Sequence, residues 1–149
     1  MELTLGFIFQ DDNILLGLKK RGFGQGKWNG YGGKIESGET IEQSLVREIK
    51  EEVSLVVKEY DKLGEIEFIF PQEEFLVHIF KITSYTGKPK ESLEITWQWF
   101  KLSDIPYDKM WIDDKYWLPM LIQGKKFNGR FVFSDESGQS IKQYNLREI

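Results

Sequence analysis

Leu3, Leu5, Phe7 and Phe9 occupy every second position, and Ile14-Leu15-Leu16-Gly17-Leu18 follows the polar turn Gln10-Asp11-Asp12-Asn13. Period-two alternation marks half-buried strands, so these stretches predict a β-hairpin. From Arg21 to Gly38, seven of eighteen residues are glycine, yet Phe23, Trp28 and Tyr31 are interspersed among them. That mixture suits a shaped loop beside a ligand better than a flexible linker. Thr40 and Gln43 have the spacing of a capping box, and Ile41, Leu45, Ile49 and Val53 then recur every fourth position. A helix over 41–53 follows. β-Branched and aromatic residues predict strands over Leu63 to Phe70, Phe75 to Ser84 and Thr96 to Leu102. A second helix is expected to begin at Asp113 or Asp114 and end by Gly124, with Pro119 inside it, before short strands at Arg130 to Phe133 and Ser140 to Asn145. With no internal repeat, low-complexity stretch or linker, residues 1–149 read as a single domain.

Composition narrows the chemistry. The chain carries a net charge of −4, and its pI near 5.2 argues against a nucleic-acid polymer or an anionic membrane as partner. There is no cysteine and only one histidine, His78, which removes disulfides, thiol catalysis, Cys-based zinc sites and a conventional hydrolase triad. Acid/base work must fall to carboxylates. Aromatic residues make up 15% of the chain, enough for some rings to line a cleft for a flat ligand. The N-terminus lacks a signal-like start, and no apolar run approaches about 18 residues. The expectation is a soluble, cytoplasmic monomer whose partner is a small-molecule nucleotide.

At about 100° per residue, Glu52 falls about 40° from Glu48, and Glu51 about 60° to its other side. Glu48 and Glu52 therefore border the stripe formed by Leu45, Ile49 and Val53. Three carboxylates one turn apart repel one another, more strongly beside an apolar face, and a divalent cation would remove that penalty. Mg²⁺, with Mn²⁺ as a substitute, suits two or three glutamates plus a backbone carbonyl, which the Gly32-Gly33 pair can supply. Arg47 could orient a neighbouring carboxylate, contact phosphate, or form an ordinary surface ion pair.

Gly33, Glu39 and the run Arg47-Glu48-Ile49-Lys50-Glu51-Glu52 together resemble the Nudix box. The family pattern continues with Gly two residues later, where this chain has Ser54. Because Gly there permits a left-handed helix end, the departure bears on local backbone geometry rather than on metal binding. The resemblance implies an α/β fold, an α/β/α sandwich with a mixed β-sheet, and hydrolysis of a nucleoside diphosphate linked to a further group. It also implies that Glu48 and Glu52 bind metal, that Glu51 assists, and that the Gly32 carbonyl completes the set. Family members often recruit a later acid, for which Glu94 is the candidate.

Outside the box, Leu15 to Gly30, Met110 to Pro119 and Tyr144 to Glu148 resemble the branch of the family that hydrolyses oxidised purine nucleoside triphosphates. That resemblance places Asn29, Asp113 and Asp114 on the base edge and Trp111 on its face. Thr4, Lys19, Phe23, Phe68 and Phe70 then surround the pocket, and Phe75 stands near a position where the branch has Met. An amide offers donor and acceptor, and two adjacent carboxyls can hold one proton between them, so the pair could read an oxo or an amino edge. The implied reaction is cleavage of 8-oxo-dGTP and related triphosphates to monophosphate and pyrophosphate. Undamaged dNTPs, ADP-ribose or dinucleoside polyphosphates are alternative substrates, and a non-catalytic nucleotide sensor is an alternative role.

Overall fold

The computed structural model describes residues 1–149. β1 (Glu2–Gln10) and β2 (Asn13–Lys19) form the expected hairpin, but only Ile8 to Gln10 pair with Asn13 to Leu15. β6 (Ile95–Lys101) occupies the opposite edge of β2 along its whole length. Where β1 and β2 separate, the chain from 28 to 34 enters the gap. β3 (Trp28–Asn29) pairs with Gly17 and Leu18, and the following loop bridges from Tyr31 to Gly6 and from Lys34 to Leu3. The glycine-rich segment is thus part of the sheet rather than a loop lying over it.

β5 (Glu74–Thr86) runs parallel to β1 and antiparallel to β4 (Val56–Ile69). Parallel pairing of β4 with β7 (Phe127–Phe133) and antiparallel pairing of β7 with β8 (Ile141–Glu148) complete a mixed eight-stranded sheet. Consecutive residues point to opposite faces. Ile8 and Leu15 pack with Leu45, Ile49 and Val53 of α1 (Ile41–Val53). Phe7 and Ile14 pack with Trp117, Leu118 and Leu121 of α2 (Asp114–Ile122). One helix on each face gives the expected α/β/α sandwich.

β4 and β7 begin several residues earlier than expected. β4 begins at Val56 rather than Leu63, and irregular pairing between Val57 and Gly64 breaks the alternation that would have revealed it. β7 starts at Phe127, its first residues disguised by Asn128 and Gly129, both poor strand formers. No helix is long and apolar enough to cross a membrane.

Candidate active site

The Thr40 hydroxyl accepts from Gln43 N and the Gln43 side chain accepts from Thr40 N, so both halves of the capping box start α1 at the expected residue. Its far end closes on Ser54 at φ 63°, ψ 25°. Serine has taken up the left-handed geometry that the family assigns to glycine, and the helix end keeps its shape. Along α1, the Glu48 side chain is 17% exposed and that of Glu51 58%, as their angular positions require.

The inserted loop and the helix meet at two points. Gly32 N–H donates to Glu52 Oε1 over 2.9 Å, and Gly33 leaves room for the Glu48 carboxylate. The Gly33 carbonyl accepts from Thr4 N at 2.9 Å, whereas the Gly32 carbonyl accepts from no backbone amide. Of the two glycines, Gly32 therefore holds the uncommitted acceptor. Burial, and next the neighbouring Glu48 charge, push the Glu52 carboxyl up to about 8. Glu48 is also raised, by burial, with Arg47 opposing the shift.

Arg47 ties this arrangement together. Its Nε and one terminal nitrogen grip Glu39 at 2.6 and 3.0 Å, while the other terminal nitrogen donates to Glu48 and Glu51 at 3.2 Å. A further bond reaches the Lys34 carbonyl. The guanidinium is committed to the Lys34 carbonyl and to three carboxylates, an orienting arrangement rather than one free for phosphate. Glu39, which sequence reading left without a role, anchors it.

Arg47 draws Glu48 and Glu51 to one of its terminal nitrogens while Gly32 N–H holds Glu52, and no three acidic or histidine side chains converge on one point. The donor chemistry still fits a hard divalent cation: oxygen ligands only, a carbonyl without a donor, and buried carboxylates whose ionisation is opposed until positive charge arrives. Glu94 lies apart. Its carboxylate is bound by Arg21 Nε and Nη2 at 3.0 and 2.7 Å and touches none of the helix acids.

A cleft of about 230 Å³ opens beside this end of α1. Thr4, Lys19, Phe23, Asn29, Gly32, Glu52, Phe68, Phe70, Trp111, Asp113 and Asp114 all line it, so the residues expected around a base face one cleft together with Gly32 and Glu52. Arg47, Glu48, Glu51 and Glu94 do not. Phe75 also lines the cleft, with its ring 5.8 Å from Phe70 and 6.4 Å from Phe23. Trp111 packs 5.0 Å from Phe23, and Gly138 lies against its ring, where a side chain would collide.

Asn29 Oδ1 accepts from Gly30 N at 2.8 Å. Because a backbone amide can only donate, the amide orientation is fixed and Asn29 presents its NH₂ as a donor. This sharpens the earlier expectation that it offers both. Asp113 and Asp114 are almost fully buried, and Trp117 Nε1 donates to Asp113 Oδ2 at 2.7 Å. Asp113 occupies the position before α2 but makes no side-chain cap. Burial raises both carboxyls, the indole N–H favours a charged Asp113, and that charge drives Asp114 well above the carboxylate range. The two carboxyls titrate as one coupled pair, with Asp114 raised the further.

Sequence reading missed Lys27, whose ammonium stands 5.1 Å over the Trp111 ring and acts on Asp114. Its place between the Gly22 to Gly26 loop and β3 gave no pattern from which this could be read.

A fold with one helix on each face of a mixed sheet, and a glycine loop bound to a Glu-bearing helix, defines the class. The NUDIX domain model matches residues 3–121, and the chain belongs to the Nudix family of hydrolases. It is 48% identical over 148 residues to a mouse (Mus musculus) oxidized purine nucleoside triphosphate hydrolase, covering 98% of this chain and 94% of the relative. The zebrafish (Danio rerio) protein of the same name is 47% identical over 149 residues, covering 99% and 94%. Among solved structures, a MutT protein from Bacillus halodurans superposes with a TM-score of 0.87 at 27% identity, covering 97% of this chain and 96% of that one.

Proposed function

We propose that residues 1–149 act as one domain that hydrolyses oxidised purine nucleoside triphosphates, 8-oxo-dGTP among them, to the monophosphate and pyrophosphate. The observation that carries this reading is a single cleft lined both by the Gly32/Glu52 pair and by the Asn29/Asp113/Asp114 set. The two vertebrate relatives, whose names specify such substrates, support it.

In this mechanism Glu48, Glu52 and the Gly32 carbonyl would hold Mg²⁺, or Mn²⁺ in its place, with Glu51 assisting. Bound there, the metal supplies neutralising charge for the diphosphate and a water of lowered pKa. Arg47 keeps Glu48 and Glu51 aimed along the helix face. A glutamate of the helix accepts the proton of the attacking water, the water oxygen bonds to phosphorus as the α–β phosphoanhydride bond breaks, monophosphate and pyrophosphate part, and no covalent enzyme intermediate forms.

Selection of the base rests on the opposite set. Asn29 donates from its NH₂, Asp113 accepts, and Asp114 donates its proton or gives it up according to the purine edge presented. The aromatic walls from Phe23, Phe70 and Trp111 hold the ring plane. Incubation with Mg²⁺ and a panel of normal and oxidised nucleotides tests the reading: higher kcat/KM for oxidised purines is expected, and equal rates for undamaged dNTPs would sink it. Asp113→Asn is expected to impair oxidised guanine and oxidised adenine nucleotides alike, and a loss confined to one base would defeat the shared role.

A further inference from the structure

Tyr31 lies at the start of the inserted loop and is completely buried, yet its hydroxyl has no hydrogen-bond partner. A buried, unsatisfied hydroxyl is costly, so its retention calls for an acceptor that arrives in another state of the protein. The ring packs under Gly17, where an added Cβ would lie 2.7 Å from Cε1 and 3.3 Å from Cζ, the carbon bearing the hydroxyl. Gly17 lines the same cleft as Glu52. The next residue, Gly32, donates to Glu52, which is also the one charged group whose field reaches the phenol. Tyr31 belongs to the same buried apolar cluster as Ile49, Val53 and Ile95. Other unsatisfied buried atoms fall into two groups: Thr4 Oγ1 and Asp114 Oδ2 belong to cleft residues, while Ser44 Oγ and His78 Nδ1 belong to residues that do not line it.

We infer that Tyr31 is a positioning residue whose hydroxyl donates to the Glu52 carboxylate in the metal-loaded enzyme, leaving the remaining lone pairs of that carboxylate to the cation. The inference rests on the metal reading given above and deepens it. Partners of this kind fix the orientation of a ligating carboxylate without touching the metal.

Full-length wild type and Tyr31→Phe, with Mn²⁺ alone as the probe in calorimetry, test it. Tyr31→Phe is expected to weaken Mn²⁺ binding about 10-fold or more and to lower kcat with nucleotide KM unchanged. In the metal-free protein the variant should melt at the wild-type temperature or above, because it removes a buried unsatisfied group, while gaining less from added Mn²⁺. Ser44→Ala, which deletes an orphan hydroxyl elsewhere, should leave Mn²⁺ affinity intact. Equal Mn²⁺ affinity in wild type and Tyr31→Phe overturns the inference and leaves the metal reading standing. So does weaker binding shared by Ser44→Ala, or accompanied by a lower metal-free melting temperature, since either would mark general damage to packing. Wild type that takes up no Mn²⁺ overturns the metal reading, and the role of Tyr31 with it.

Discussion

Gly33 packs so closely against Glu48 that a Cβ at this position would stand 2.6 Å from Oε1 and 2.8 Å from the carboxyl carbon. Contacts of that length do not survive, so any side chain here moves the carboxylate. Gly33 does not adopt a left-handed conformation, and alanine would suffer no backbone strain. The effect of Gly33→Ala should therefore fall on function more than on stability. Displacing one ligating group by a few tenths of an ångström is expected to reduce kcat and Mn²⁺ affinity by about 10- to 100-fold, the range for disturbed metal-site geometry. Steady-state kinetics beside a melting curve would check this, and a large fall in melting temperature with normal kcat per folded molecule would contradict it.

Ser54 closes α1 at φ 63° with its N–H on the Lys50 carbonyl. A non-glycine residue in this conformation costs roughly 1–2 kcal/mol, part of which glycine forfeits through its larger unfolded-state entropy. Ser54→Gly should therefore stabilise the protein by about 0.5–1 kcal/mol, a rise of a few degrees in Tm for a chain of this size. Urea denaturation would measure it, and activity should not change because Ser54 does not line the cleft.

How much of this was legible in sequence depended on the range of the interaction. α1 was readable to the residue because its signals are local: Thr40 with Gln43, and apolar positions one turn apart. Glu48 and Glu52 followed from the same periodicity. The first half of β4 was hidden because its pairing with β5 slips near Glu59 and Gly64 and scrambles the period-two pattern. The Glu39–Arg47 clamp spans a loop and a helix turn, and nothing in their spacing fixes the geometry. Resemblance located Asn29, but only the Gly30 N–H shows which end of its amide is free. Tyr31 and Lys27 acquire their importance from neighbours far along the chain, which no local pattern encodes.

Burial, and next the charge of Asp113, push the Asp114 carboxyl well above its unfolded value. The native state then binds more protons than the unfolded one, so this residue makes stability fall as pH rises. Its favourable contribution is complete below the unfolded carboxyl pKa of about 3.9 and is lost progressively as pH climbs through the raised folded value. Asp114→Asn removes the ionisation and should flatten that decline. Chemical denaturation of both proteins from pH 4 upward should show the variant gaining relative to wild type. An unchanged pH slope would mean that Asp114 is ionised in the fold.

Lys27 connects the stacking surface to the acid pair, since its ammonium lies 5.1 Å over the Trp111 ring and its charge favours the ionised form of Asp114. Replacing it with methionine keeps most of the apolar stem and removes the charge. Loss of the cation–π contact alone is worth about 0.5–1 kcal/mol at an accessible site and should raise nucleotide KM about 2- to 5-fold. The second consequence has a definite sign. Without the positive charge, the Asp114 pKa rises further, so the ionisation limb in kcat/KM should move to higher pH for any base whose recognition requires Asp114 to change protonation state. A pH profile of Lys27→Met against wild type, taken with oxidised guanine and oxidised adenine nucleotides, separates the two effects. A KM increase with no displacement of the limb would confine Lys27 to supporting Trp111, and a displacement towards lower pH would contradict its electrostatic role.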